Sequence, residues 1–147
     1  MDPTDPQSKT ILIVDDDETV TTFFEVLLSR EGFKPVVANS GESALDKLKA
    51  KIYRKIDLVL LDLMMPAPGG YEVLKELQAP GYQNVPIFIV TARTLDSGTV
   101  GMLKLESNVL EFYKKPIDPK DLVQKVHQHL GTVPKEKGPG KDAYDTL

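Results

Sequence analysis

The sequence predicts an α/β protein in which five strand–helix repeats form one parallel sheet with helices on both faces. Three observations support this fold class. Short, continuous apolar runs recur along the chain, as is typical of strands buried on both faces. Segments with apolar residues at the helical period follow these runs, and each of them indicates an amphipathic helix. Strand and helix patterns alternate five times, which favours a parallel sheet over an antiparallel one.

The predicted strands are short and rich in valine, isoleucine and leucine. They cover residues 10–14, 36–38, 58–62, 85–90 and 109–113. The third one runs from Leu58 directly into the carboxylate of Asp62. In an open parallel sheet the ligand crevice lies outside the carboxyl ends of the strands. We therefore expect Asp62 at the mouth of that crevice.

The predicted helices have recognisable ends. Asp17 is the expected N-cap of the first helix, and Asp118 followed by Pro119 is a typical helix start. The helix predicted over residues 95–106 is weak because it contains two glycines, each costing about 1 kcal/mol relative to alanine. The only two histidines, His127 and His129, lie on the last predicted helix, where we expect them at the surface.

Length and composition predict one soluble domain. Of the 147 residues, 41% are hydrophobic and 27% are charged, as in ordinary globular proteins. The net charge of −4 gives no reason to expect nucleic acid or an anionic membrane as partner. Absence of cysteine excludes disulfides and thiolate chemistry. No apolar run approaches the roughly 20 residues that span a bilayer, and the polar N-terminus is no signal peptide, so we expect a cytoplasmic protein.

Composition also suggests where the domain begins and ends. Residues 1–8 are polar and are predicted to be a flexible lead-in. The strand and helix patterns occupy residues 9–130. Residues 131–147 are rich in proline, glycine and lysine, and they are predicted to be a flexible tail or linker.

Side chains that could bind a metal or a phosphoryl group lie at the carboxyl ends of four of the predicted strands. They are the three consecutive aspartates at positions 15–17, together with Asp62, Thr91 and Lys115. Two like charges about 4 Å apart cost roughly 4 kcal/mol at an effective dielectric constant near 20, so the carboxylates favour a bound cation. Mg²⁺ prefers oxygen ligands and takes only one or two carboxylates. Asp62 could act as a nucleophile toward a phosphoryl group, with Lys115 and Thr91 binding the phosphoryl oxygens.

These motifs together resemble the receiver domain of bacterial two-component response regulators. The resemblance rests on Ile11-Leu12-Ile13-Val14-Asp15-Asp16-Asp17, on Leu58 to Asp62 with Met64-Met65-Pro66 and Gly70, on Val90-Thr91-Ala92, and on Lys115-Pro116. It covers roughly residues 9–130, and the order and spacing of the motifs make it specific. It implies the flavodoxin-like strand order 2-1-3-4-5.

The resemblance also implies roles for individual residues. Asp62 would be phosphorylated by a histidine kinase or phosphotransfer protein in the presence of Mg²⁺. Asp16 would bind the metal directly, Asp15 would bind it through water, and the backbone carbonyl of Met64 would complete the site with Asp62.

Three further residues have implied roles in phosphate binding and signalling. Lys115 would bind the phosphoryl group, and its peptide bond to Pro116 would be cis. Thr91 and Phe112 would form a switch that changes the face of the fourth helix and fifth strand. A downstream protein or a C-terminal output domain would recognise this face, and phosphorylation could produce a homodimer.

Two other functions are compatible with parts of the sequence. Asp15, Asp17 and Thr19 fit the D-x-D-x-T pattern of haloacid dehalogenase-type phosphatases, in which Asp15 would be the nucleophile. Against this assignment, no acidic motif follows Lys115 at a strand end. The second alternative is a receiver-like module that no longer takes phosphate. The receiver interpretation predicts a phosphoacceptor that turns over no separate small-molecule substrate.

Overall fold

The structure is a computed structural model that describes residues 2–50 and 55–134. The strands are β1 (Thr10–Val14), β2 (Lys34–Ala38), β3 (Leu58–Asp62), β4 (Ile87–Thr91) and β5 (Val109–Lys114). The helices are α1 (Glu18–Arg30), α2 (Gly41–Lys49), α3 (Gly70–Glu76), α4 (Ser97–Lys104) and α5 (Pro119–Leu130). All four strand pairs are parallel, and the order is β2-β1-β3-β4-β5. Both the fold class and the strand order are confirmed.

Helices cover both faces of the sheet because alternate side chains of each central strand point to opposite sides. In β1, Ile11 and Ile13 belong to the core on the face covered by α1 and α5, while Leu12 and Val14 belong to the core on the opposite face, to which α2, α3 and α4 contribute. Every residue of β3 is buried. The continuous apolar runs in the sequence reflect this burial on two sides.

Capping residues determine where the helices begin. Side chains of Asp17 and Asp118 accept backbone hydrogen bonds at the starts of α1 and α5, as predicted. Asp96 accepts the hydrogen bond from the backbone N–H of Thr99 and caps α4. This cap explains why α4 begins two residues later than the predicted segment 95–106.

The chain before β1 contains a short turn that the sequence did not predict. Residues Pro6–Ser8 form a 3-10 turn in which Pro6 is buried. The carbonyl of Thr4 accepts a hydrogen bond from the N–H of Val133, which follows α5 (2.9 Å). Part of the expected lead-in 1–8 is therefore packed against the domain. Residues 135–147, most of the expected tail, lie outside the described residues.

In the two described ranges, no helix has both the length and the apolar character needed to span a membrane.

Candidate functional site

The parallel sheet brings the side chains predicted to act together to one edge. Asp62 and Thr91 are the last residues of β3 and β4, while Asp15 and Lys115 directly follow β1 and β5. Strands β1 and β3 are neighbours in the sheet, which places Asp15 beside Asp62. Lys115 reaches both of them from β5, the edge strand.

Three carboxylates form a compact cluster at this edge. Asp15, Asp16 and Asp62 each offer an oxygen, and these oxygens lie within 4.8 Å of one another. Asp15 and Asp62 are only 2% and 4% exposed, whereas Asp16 is exposed to solvent. Nζ of Lys115 lies 2.6 Å from Oδ2 of Asp15 and 3.6 Å from Oδ2 of Asp62. One lysine cannot neutralise three carboxylates.

Backbone N–H groups hold one oxygen of each buried carboxylate. The N–H of Asp17 donates to Oδ1 of Asp15, and the N–H of Met64 donates to Oδ1 of Asp62, both at 2.9 Å. Asp15 then binds Lys115 through its second oxygen. The second oxygen of Asp62 lies beyond hydrogen-bonding distance of Lys115. Both oxygens of Asp15 therefore accept a hydrogen bond, whereas Oδ2 of Asp62 accepts none from Lys115.

Burial changes the acid–base properties of Asp62 and Lys115. Loss of solvent around Asp62 raises the pKa of its carboxyl above the usual range, and the negative charges of Asp15 and Asp16 add to this. The Met64 N–H and the Lys115 ammonium oppose the increase. Burial of Lys115 by itself lowers the pKa of its ammonium, but the hydrogen bond to Asp15 and the nearby carboxylates raise it overall.

The donor set fits a magnesium ion. Carboxylate oxygens are the ligands that Mg²⁺ prefers, and the exposed Asp16 leaves room for the waters that the ion retains. A divalent cation would also remove the repulsion that the single lysine leaves uncompensated. Asp15, Asp16 and Asp62 are therefore the side chains that would hold the ion.

The raised pKa of Asp62 predicts a pH-dependent gain in stability for Asp62→Asn. The native state binds a proton at Asp62 more tightly than the unfolded chain, so ionising Asp62 lowers the free energy of unfolding as pH rises through the native pKa. We expect Asp62→Asn to be more stable than the wild type at pH 7, with the difference shrinking toward pH 4. Urea unfolding at several pH values, in the presence of a metal chelator, measures this difference in the free energy of unfolding.

Asp46→Asn, at an exposed position of α2, is the control and should leave stability nearly unchanged. A stability difference between Asp62→Asn and the wild type that grows as pH falls would contradict a raised pKa for Asp62.

Thr91 and Phe112 both line a small cavity. Its volume is about 170 Å³, and Val100 of α4 also contributes to its wall. Thr91 is buried, and its hydroxyl accepts a hydrogen bond from the N–H of Arg93 at 3.3 Å. Phe112 is partly buried on the side of the sheet that α4 covers. Thr91, Phe112 and α4 therefore share the wall of one cavity.

Two proline peptide bonds near the site are cis. Lys115–Pro116 is one of them, as the resemblance implied, and Ala67–Pro68 is the other. The second lies in the loop between β3 and α3, and nothing in the sequence predicted it.

The expectation that both histidines lie at the surface was wrong for His127. This residue is 5% exposed, with Nε2 paired to Oε1 of Glu31 at 2.9 Å and Nδ1 paired to Oγ1 of Thr132 at 2.7 Å. His129 is half-buried and pairs with Glu111. Both histidines are on α5, which carries no member of the acidic cluster, so His127 is a structural residue that joins α5 to the end of α1.

The model of the response regulator receiver domain family matches residues 11–127. The transcriptional regulatory protein CpxR of Escherichia coli (strain K12) is 39% identical over 120 residues, which are 82% of this chain and 48% of CpxR. The DNA-binding response regulator MtrA of Mycobacterium tuberculosis (strain ATCC 25618 / H37Rv) is 38% identical over 126 residues, 86% of this chain and 52% of MtrA. The chain thus spans about half the length of these relatives.

Solved structures show the same similarity. The CheY-like receiver domain protein of Methanospirillum hungatei JF-1 superimposes with a TM-score of 0.72 at 26% identity, covering 84% of this chain and 94% of that one. The BeF3-activated N-terminal receiver domain of Klebsiella pneumoniae RstA superimposes with a TM-score of 0.68 at 30% identity, covering 83% of this chain and 98% of that one.

The fold, the acidic cluster at the carboxyl ends of the strands and these similarities define a signalling module rather than an enzyme acting on a small molecule. The chain belongs to the receiver domain family of response regulators.

Proposed function

We propose that Asp62 accepts a phosphoryl group from the phosphohistidine of a histidine kinase or phosphotransfer protein. The observation that carries this proposal is the environment of Oδ2 of Asp62. This oxygen is 3.6 Å from Nζ of Lys115, while Oδ1 is held by the Met64 N–H. The carboxylate is thus oriented, and one of its oxygens remains available for attack.

The transfer needs few protein groups. Oδ2 of Asp62 attacks the phosphorus atom, the bond from phosphorus to the donor imidazole nitrogen breaks, and that nitrogen retains the electron pair. Lys115 binds a phosphoryl oxygen as a point charge. A magnesium ion held by Asp15, Asp16 and Asp62 would supply neutralisation of the charge on the transferring group. The Met64 carbonyl remains the proposed backbone ligand.

The haloacid dehalogenase alternative is less well supported by the geometry. It requires Asp15 as nucleophile and Asp17 as acid or base. Both oxygens of Asp15 are engaged, by the Asp17 N–H and by Lys115. The side chain of Asp17 accepts the hydrogen bond from the Thr19 N–H as the cap of α1. Neither carboxylate is therefore arranged for the role that this alternative assigns.

The experiment that tests the proposal is intact-mass measurement after incubation with acetyl phosphate, with and without Mg²⁺. We expect a gain of one phosphoryl group that requires Mg²⁺. No gain, together with no Mg²⁺ binding, would support the receiver-like module that no longer takes phosphate.

We also propose that Thr91 and Phe112 transmit the phosphorylated state. A phosphoryl group carries roughly −1.5 to −2 charges and new acceptor oxygens. The Thr91 hydroxyl would turn from its acceptor role toward Arg93 and donate to one of these oxygens. Phe112 would then move into the adjacent cavity, and the surface formed by α4 and β5 would change. A downstream protein, a second copy of the chain or an output domain would bind that surface.

Thr91→Ala is expected to separate phosphoryl binding from signalling. The experiment uses ¹³C-methyl methionine spectra with BeF3 and Mg²⁺, since Met64 lies beside Asp62 and Met102 is a 72% exposed residue of α4. In the wild type both signals should shift. In Thr91→Ala the Met64 signal should still shift and the Met102 signal should not, because the hydroxyl that moves toward the phosphoryl group is missing.

The control for this experiment is Thr22→Ala at an exposed position of α1, which should behave like the wild type. A Met102 shift of wild-type size in Thr91→Ala would show that the Thr91 hydroxyl is not needed.

A further inference from the structure

Helix α2 contacts the loop that follows Asp62 at a position where only glycine fits. Gly41, the first residue of α2, is buried against the backbone of Pro68 and Gly69. A Cβ atom at position 41 would overlap the carbonyl oxygen of Pro68, would lie 2.8 Å from the Pro68 carbonyl carbon, and would lie 3.1 Å from the Gly69 nitrogen. These are backbone atoms, so no side-chain rotation can relieve the overlap.

The loop between β3 and α3 is fixed at three points. At its start, the Met64 N–H donates to Asp62. At its end, the Gly69 N–H donates to Oε2 of Glu72 at 2.8 Å. Between them, the Pro68 carbonyl rests on Gly41. Of these three contacts, only the one between Pro68 and Gly41 joins the loop to a distant part of the chain, helix α2.

We propose that Gly41 is a positioning residue for the magnesium site. The missing side chain lets the loop close onto α2 at Pro68, and this closure supports the position of the Met64 backbone, which its own N–H already joins to Asp62. A methyl group at position 41 would push Pro68 outward and would move Met64 with it, because only a few residues separate the two. The inference rests on the proposed function, since it assumes that Mg²⁺ binds at Asp62 and Met64.

Gly41→Ala should therefore weaken Mg²⁺ binding by about tenfold or more, which is the size of effect seen when residues that orient metal ligands are changed. Binding is measured by isothermal titration calorimetry with Mg²⁺ alone, well below the unfolding temperature. The matched control is Ala44→Gly, which removes one methyl group from a buried position of the same helix. It should lower stability without changing the Mg²⁺ dissociation constant, because it lies one turn from the loop contact.

A second measurement uses the wild type, and so does not depend on how well Gly41→Ala folds. In ¹⁵N amide spectra, adding Mg²⁺ and then BeF3 should shift the Gly41 signal, while Gly131 at the end of α5 should stay in place. A Gly41 signal that moves with neither addition would overturn the proposal. A folded Gly41→Ala variant with the wild-type dissociation constant would overturn it as well.

Failure of this inference can be distinguished from failure of the proposed function. If the wild type itself binds no Mg²⁺, the proposed function fails. If the wild type binds Mg²⁺ and Gly41→Ala binds it equally well, only the role of Gly41 is refuted.

Discussion

Asp62→Asn is expected to abolish the Mg²⁺-dependent gain of a phosphoryl group from acetyl phosphate. The amide keeps the size of the carboxylate and can still accept the hydrogen bond from the Met64 N–H. It has no negative oxygen with which to attack phosphorus, and it contributes no charge to the metal site. The complete loss should be visible by intact-mass measurement at saturating acetyl phosphate.

Asp57→Asn is the matched control for that experiment. Asp57 is also buried (8% exposed), and it directly precedes β3, so it lies at the opposite end of the strand from Asp62. The variant should still gain one phosphoryl group. A gain that persists in Asp62→Asn and disappears in Asp15→Asn would instead favour the phosphatase mechanism with Asp15 as nucleophile.

Gly70→Ala should be the most destabilising single-methyl addition at the site. A Cβ atom at Gly70 would overlap the carbonyl oxygen of Asp62, and it would lie 2.5 Å from Cα of Leu63 and 2.9 Å from the Asp62 carbonyl carbon. Asp62 and Leu63 are both buried, and the overlapping atoms belong to their backbone, so that backbone must move. We expect a loss of about 3 kcal/mol or more in the free energy of unfolding, together with slower phosphorylation, because the displaced backbone carries Asp62.

Gly101→Ala is the control that makes this result interpretable. Gly101 is an exposed residue of α4, and an added Cβ atom would meet no atom within 4 Å. Alanine is favoured over glycine in a helix by about 1 kcal/mol, so this variant should be more stable than the wild type. Urea unfolding measures both variants. Equal stability of Gly70→Ala and the wild type would show that the backbone beneath Asp62 can adapt.

Local signals in the sequence were sufficient to predict most of the fold. Buried strands of a parallel sheet have apolar residues at every position, as in β3, and the N-caps of α1 and α5 are adjacent to the helices they start. The meeting of Asp15, Asp62 and Lys115 also follows from topology, because parallel strands place their carboxyl ends at one edge of the sheet.

Contacts between distant parts of the chain could not be predicted in the same way. His127 is buried because Glu31, 96 positions earlier in the chain, supplies a hydrogen-bonding partner. A histidine on a helix gives no local sign of such a partner. The packing of Pro6 and the hydrogen bond between Thr4 and Val133 likewise depend on two segments at opposite ends of the domain.

The Thr4–Val133 hydrogen bond and the His127–Thr132 pair lie far from the acidic cluster, and this separation has a consequence for mutations. They lie at the amino ends of the strands, because α5 runs back across the sheet from the edge that carries Asp62. Five residues of β3 separate the two edges by roughly 16 Å at about 3.3 Å per residue. Mutations at the amino ends of the strands therefore arise far from the phosphoryl-accepting carboxylate. Substitutions at the two ends of the sheet should therefore change stability nearly additively, because sites more than about 10 Å apart with no shared partners rarely couple.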